Sequence, residues 1–146
     1  MKKPLKIYID GSSLGNPWPG GWAVVISDGH QVLEIISGWK ATATNSEMEL
    51  TALWQWVNKA PSNVKAYIYS DSNYIVNWAT KRFASWEKRG GKKANWDPVA
   101  YWSLWQKIGK ALKGKNIDIV WVKWHSWNKF NELADKQAKQ QASKYQ

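Results

Sequence analysis

The chain has 146 residues, a formal net charge of +10, a pI near 9.7 and no cysteine, which fits one domain large enough to bury its own core. Disulfide scaffolds and thiolate metal sites are excluded, and the basic balance favours nucleic acid or another polyanion as partner. The start, MKKPLKIYID, lacks the apolar core of a secretory leader, and no apolar run approaches the roughly 18 residues of a membrane span, so a cytoplasmic protein is expected.

In chain order, Leu5 to Ile9 alternates and predicts a strand ending at Asp10-Gly11. Gly21 to Ser27 and Gln31 to Lys40 predict two more strands, joined through the hairpin signal Asp28-Gly29. Thr44 to about Ala60 predicts a helix that opens on two overlapping capping boxes, Thr44-x-x-Glu47 and Ser46-x-x-Glu49. Val64 to Ser70 predicts a fourth strand, and Asp71-Ser72 caps a short helix to about Thr80. The basic, aromatic stretch RFASWEKRGGKKANWDP predicts a protruding loop with one helical turn. Pro98 to Leu112 predicts a helix, Ile117 to Lys123 a fifth strand, and Asn128 to about Ser143 a closing helix. This order predicts a single α/β domain over 1–146, with a five-stranded mixed sheet that is antiparallel first and parallel later, flanked by helices.

Four carboxylates stand out. Asp10 and Asp71 close apolar strand runs, and Glu49 and Asp135 lie on predicted helices. Ligand sites of such sheets gather at the carboxyl ends of parallel strands, so two acids distant in sequence can meet there. Gathered carboxylates repel one another, and hard divalent cations with oxygen ligands relieve that repulsion. Each acid also has a plainer reading. Asp10-Gly11 serves as a turn, Asp71 as a helix cap, and Glu49 as a capping-box residue with Glu47 as its competitor. Periodicity alone leaves Asp135 on a solvated helix face.

The segments DGSSLGNPWPGGW, TNSEMEL, YSDSNYIVN, WEKRGGKK and VKWHSWNKFNELAD occur here in the order in which the ribonuclease H family carries their counterparts. Over nearly its whole length the chain resembles type 1, bacterial-like members. The resemblance implies a ribonuclease H-like fold and an endonuclease that cuts the RNA strand of RNA·DNA hybrids, leaving 5′-phosphate and 3′-hydroxyl ends. It implies two Mg²⁺ ions, with Mn²⁺ able to substitute, held by Asp10, Glu49, Asp71 and Asp135, with Asp10 between them. It makes His125 an aid to proton transfer or product release, and ranks Asn131 and Glu132 as second-tier neighbours. Asn16, Asn45, Glu49, Ser72 and Asn73 match positions that read the 2′-hydroxyls of the RNA strand. Thr44 and Asn16 match the DNA-phosphate side. Trp86, Lys88, Arg89, Lys92 and Lys93 match a basic protrusion, about 78–97, that holds the hybrid. The expected partner is the hybrid itself, bound by a monomer without a protein partner or membrane.

Thirteen tryptophans are abnormally many, and several depart from this pattern. Trp18, Trp124 and Trp127 stand where the family's motifs carry glycine, and the last two flank His125. They are either natural substitutions in a divergent member or marks of a redesigned chain. Two other functions remain open at this level: a hybrid-binding module disabled by the altered loops, and another nuclease of the same superfamily.

Overall fold

A computed structural model describes residues 3–15, 18–123 and 128–144. Five strands form one mixed sheet in the order β3-β2-β1-β4-β5. Strands β1 (Leu5–Ser13), β2 (Trp18–Ser27) and β3 (Val32–Ala43) run as an antiparallel meander. Strands β4 (Ala66–Ser70) and β5 (Ile117–Trp121) add in parallel to the other side of β1. The β2–β3 turn forms where Asp28-Gly29 predicted it. Asp28 Oδ1 accepts from the amides of His30 and Gln31 at 2.8 and 2.9 Å, and Gly29 takes a φ of +95°.

Alternation along the strands divides the interior in two. Ile7, Ile9, Val24, Ile26 and Ile68 pack against α1 (Asn45–Lys59) and α4 (Trp102–Leu112), through Leu50, Leu53, Val57, Trp105 and Ile108. Tyr8 and Val25 face the other way, onto Phe130 and Ala134 of α5 (Lys129–Ser143). α1 begins as its capping signal predicts: the Thr44 hydroxyl accepts from the Glu47 amide at 3.1 Å.

Several boundaries differ from the sequence expectation, β2 starting at Trp18 and β3 running to Ala43 among them, and three differences have a clear physical cause. β1 runs on past Asp10 to Ser13, because β2 continues to pair with it after β4 has parted from it at Tyr8–Tyr69. The stretch read as a loop is helical as far as Lys88: α2 (Asn73–Asn77) passes through a π-helical turn (Trp78–Arg82) into α3 (Phe83–Lys88). Burial of Trp86 at 2% exposure against Trp105 stabilises α3, a tertiary contact that local composition does not reveal. α4 starts at Trp102 rather than Pro98, since Tyr101 has a left-handed φ of +59° that no right-handed helix accommodates.

The seating of α5 depends on small residues. Ala134, Ala138 and Ala142 are fully buried along one face, and a Cβ on Gly21 of β2 would run into the Ala138 carbonyl and the Ala142 amide. Gly21→Ala should therefore lift α5 and destabilise the fold by about 1–3 kcal/mol, read as a lower urea midpoint at unchanged slope.

Candidate active site

The parallel ladder between β1 and β4 ends at Tyr8–Tyr69. Two residues further on stand Asp10, still on β1, and Asp71, just past the end of β4, so the parting strands deliver both carboxylates to the same end of the sheet. α1 supplies the third. Gly11 has no side chain, and a Cβ there would collide with the Glu49 amide and the Met48 carbonyl carbon, so β1 lies directly against the first turns of α1. Carboxylate oxygens of Asp10, Glu49 and Asp71 lie within 4.8 Å of one another.

Asp135 arrives on α5, from the side of β1 that carries Tyr8. It shares a side-chain hydrogen bond with Asp10 and pairs with Lys139 one turn along α5, Nζ to Oδ2 at 3.0 Å. It borders the three-acid group through Asp10. Glu47, the competitor of Glu49, turns away to Lys40 at 2.5 Å. Two acids two residues apart on a helix point to different faces, and the structure divides their roles accordingly.

The electrostatics follow from this crowding. Asp10 is 6% exposed, and burial, followed by the charges of Asp71, Asp135 and Glu49 and the hydrogen bond with Asp135, pushes its pKa up to about 9. Glu49 is raised to about 7, chiefly by burial and also by Asp71, while a hydrogen bond from the Ser72 side chain pulls it down. Such a site holds a proton at neutral pH until a cation replaces it. The donor set, carboxylate oxygens only, suits a hard divalent cation.

The polar residues expected around the acids are partly committed to the fold. Thr44 caps α1, and its Oγ1 also bonds the Tyr101 hydroxyl at 2.6 Å. Asn45 opens α1, Ser72 caps α2 through the Ile75 amide at 3.2 Å, and Asn73 accepts from Asn77 at 3.2 Å. Asn131 is 7% exposed in the first turn of α5 and Glu132 is exposed beside it. Asn16, His125, Trp124 and Trp127 lie outside the described residues.

A cleft of about 550 Å³ opens along α3 and the loop after it, lined by Trp78, Lys81, Arg82, Ser85, Trp86, Arg89, Lys93, Ala94 and Asn95. Arg89 and Lys93 were expected there, whereas Lys88 and Lys92 are exposed outside it and Trp86 is its buried floor. Trp78, Lys81 and Arg82 fall within the expected protrusion but have no role of their own in the sequence reading. The cations of Arg82 and Lys93 lie over the Trp78 ring, 5.5 and 5.7 Å from its centroid. Helical spacing from Trp78 through Arg82 to Trp86 and Arg89 was the available signal, hidden by the reading of this stretch as a loop.

Comparison with known proteins bears on this arrangement. The RNase H family profile matches residues 2–143. A ribonuclease H of Caulobacter sp. (strain K31) is 37% identical over 139 residues, which is 95% of this chain and 90% of that protein. The solution structure of the PFV RNase H domain superposes with a TM-score of 0.82 at 26% identity, covering 95% of this chain and 94% of its own. A foamy viral protease-reverse transcriptase in complex with an RNA/DNA hybrid shares the fold at a TM-score of 0.85 and 23% identity, over 94% of this chain and 20% of its own.

The raised acids set the pH dependence of stability without metal. Between its ordinary value of 3.8 and about 9, Asp10 keeps a proton in the folded protein that the unfolded chain has released. Folding stability therefore falls as pH rises through that window, and Glu49 adds to the fall between 4.5 and about 7. In thermal unfolding with chelator, Asp10→Asn should flatten this slope and exceed the parent's midpoint at the alkaline end. Parallel curves for the two proteins would show that Asp10 ionises freely.

Proposed function

The chain belongs to the ribonuclease H family of nucleases, and from that premise we propose that it hydrolyses the RNA strand of RNA·DNA hybrids endonucleolytically. The observation that carries the reading is the convergence of Asp10, Glu49 and Asp71 at the end of the β1–β4 pair, bordered by Asp135, in a molecule that also presents a cationic cleft. Residues 1–146 act as one catalytic domain in this reading.

Asp10, Glu49, Asp71 and Asp135 would hold two divalent cations, Mg²⁺ with Mn²⁺ as substitute, Asp10 standing central as the acid that hydrogen-bonds Asp135 and lies within 4.8 Å of Glu49 and Asp71. Bound there, the cations supply an activated water and charge stabilisation for the leaving oxygen. In the hydrolysis a water oxygen joins phosphorus and the P–O3′ bond breaks, so the phosphate stays on the 5′ end and the other fragment leaves as a 3′-hydroxyl. The protein's own contribution is to present ionised carboxylates in a fixed, largely dry arrangement. Asp10 gives up its proton on loading, and the hydrogen bond from Ser72 steadies Glu49 in its charged form. His125 assists proton transfer or product release in the same reading.

Substrate choice rests on 2′-hydroxyl contacts from Asn16, Asn45, Glu49 and Asn73 or Ser72, with Asn131 a second-tier neighbour, and on Thr44 with Asn16 at the DNA phosphates. Lys81, Arg82, Arg89 and Lys93 line a track for the backbone, while Lys88 and Lys92 beside it extend the positive field. Contacts of this kind avoid base edges, so cleavage should depend little on sequence and steeply on salt.

End-labelled hybrid, double-stranded RNA and double-stranded DNA incubated with Mg²⁺ or with chelator test the reading. Metal-dependent cutting of the hybrid's RNA strand alone is the expected result, and Asp10→Asn should lower the rate by about a thousandfold or more, the several kcal/mol that metal chemistry supplies. Tight hybrid binding with no cutting in either Mg²⁺ or Mn²⁺ would reduce the chain to a binding module.

A further inference from the structure

β3 is an edge strand with an unusual surface. Val32, Leu33, Ile35 and Trp39 are all large apolar residues with substantial exposure, between 39% and 50%. Edge strands are normally blunted by charges, prolines or bulges, because their open backbone groups invite another strand. Over Val32–Ala43 there is no proline, and Glu34 and Lys40 are the only charged residues. The pairing of β3 with β2 is regular from Glu34 to Lys40.

Those two charges are placed symmetrically about Ser37. We propose that β3 pairs antiparallel with β3 of a second copy of this chain, with Ser37 on the twofold axis. In that register Glu34 of each copy lies opposite Lys40 of the other, and Ile35 lies opposite Trp39. Facing residues of antiparallel strands project to the same side, so the charged pairs line one face and the apolar pairs the other. The strand is thus complementary to itself, which is what an isologous interface requires. Within one copy Glu34 reaches Lys59 at 3.4 Å and Lys40 reaches Glu47 at 2.5 Å; both are solvent-exposed pairs that cross-strand partners can share at little cost. The expected monomer gives way to a dimer with one continuous sheet, and the carboxylate site, two strands inward on β1, stays open in each copy.

Sedimentation velocity across a concentration series reads the association directly. The parent should show a monomer–dimer equilibrium. Glu34→Lys sets like charges opposite each other and should weaken the dimer at least tenfold, and adding Lys40→Glu to it should restore the dimer by exchanging both charges. Lys59→Ala, which removes only the partner within one copy, should leave association unchanged. A parent that stays monomeric at every concentration overturns the proposal, as does a dimer indifferent to Glu34→Lys.

Trp96 and Trp18 carry a separate inference. Among the described residues only Trp96 and Tyr101 are non-glycine residues with positive φ. Tyr101 has compensation in its bond to Thr44 at 2.6 Å. Trp96 has a φ of +69° and is 65% exposed, so neither backbone preference nor burial favours an indole there. Trp18 is 62% exposed, and its ring takes the space that a Cβ on Gly15 would fill. We infer that positions 18 and 96 are glycine in the polypeptide that the source cell makes, encoded by UGA, a triplet that different genetic codes read as stop, tryptophan or glycine. Positions 124 and 127, where the family's motifs carry glycine, follow the same assignment, and the buried Trp86 and Trp105 do not. The codons and the peptide masses of the native protein decide it. UGA at 18 and 96 with glycine-mass peptides, and UGG at 86 and 105, is the expected result; UGG at 18 and 96 overturns the inference.

Discussion

Like-charge repulsion at one end of the β1–β4 pair is the constraint to which much of this structure answers. Three carboxylates share a space less than 5 Å across, a fourth hydrogen-bonds into it, and the most central of them is almost fully removed from water. Nothing in the packing of the core requires this. The arrangement is held from outside: by the ladder that aligns Asp10 with Asp71, by the bare backbone of Gly11 that admits α1, and by the alanine face of α5 on Gly21. A folded state that carries such a site is less stable than it need be, and protons or cations recover the difference.

The parts of the site that were legible in the sequence are those positioned by local chemistry. Asp10 and Asp71 follow strongly apolar strand runs, and the geometry of parallel sheets does the rest. Glu49 needed help from the family's motif, since a capping-box reading fits Glu47 and Glu49 alike. The structure separates them through long-range contacts, Glu47 turning to Lys40 of β3 and Glu49 to Asp10 and Asp71. Asp135 was legible only through the resemblance, because its place depends on α5 lying close to β2, a contact between residues more than a hundred positions apart.

The mixed sheet, antiparallel first and parallel later, was legible for the same local reasons, down to the turn at Asp28-Gly29. The helical build of the basic protrusion was not. Its charges and glycines read as solvated chain, yet Trp78, Trp86 and Trp105 join their rings there, centroids 3.7 and 5.7 Å apart, and tie the segment to α4. Aromatic burial of this kind overrides local propensity, and it also decides which cations are left to face outward. Trp86, expected at the surface, serves instead as the floor on which the exposed cations are arranged.

The wide turn at Trp78–Arg82, closed by the Phe83 amide on the Trp78 carbonyl, bears on orientation. Residues eleven apart on an unbroken α-helix, such as Ile75 and Trp86, lie about three turns apart and share nearly one face. One surplus residue in a single turn retards the following helix by about 100°, so α3 is indexed a quarter turn away from the face that α2 lays on the sheet. Removal of Ala79 or Thr80 would keep every cation of the cleft in the sequence and turn those of α3 and the loop after it to another bearing. The bearing of the protrusion relative to the carboxylates is thus written as a residue count, and chemistry at any one position does not encode it.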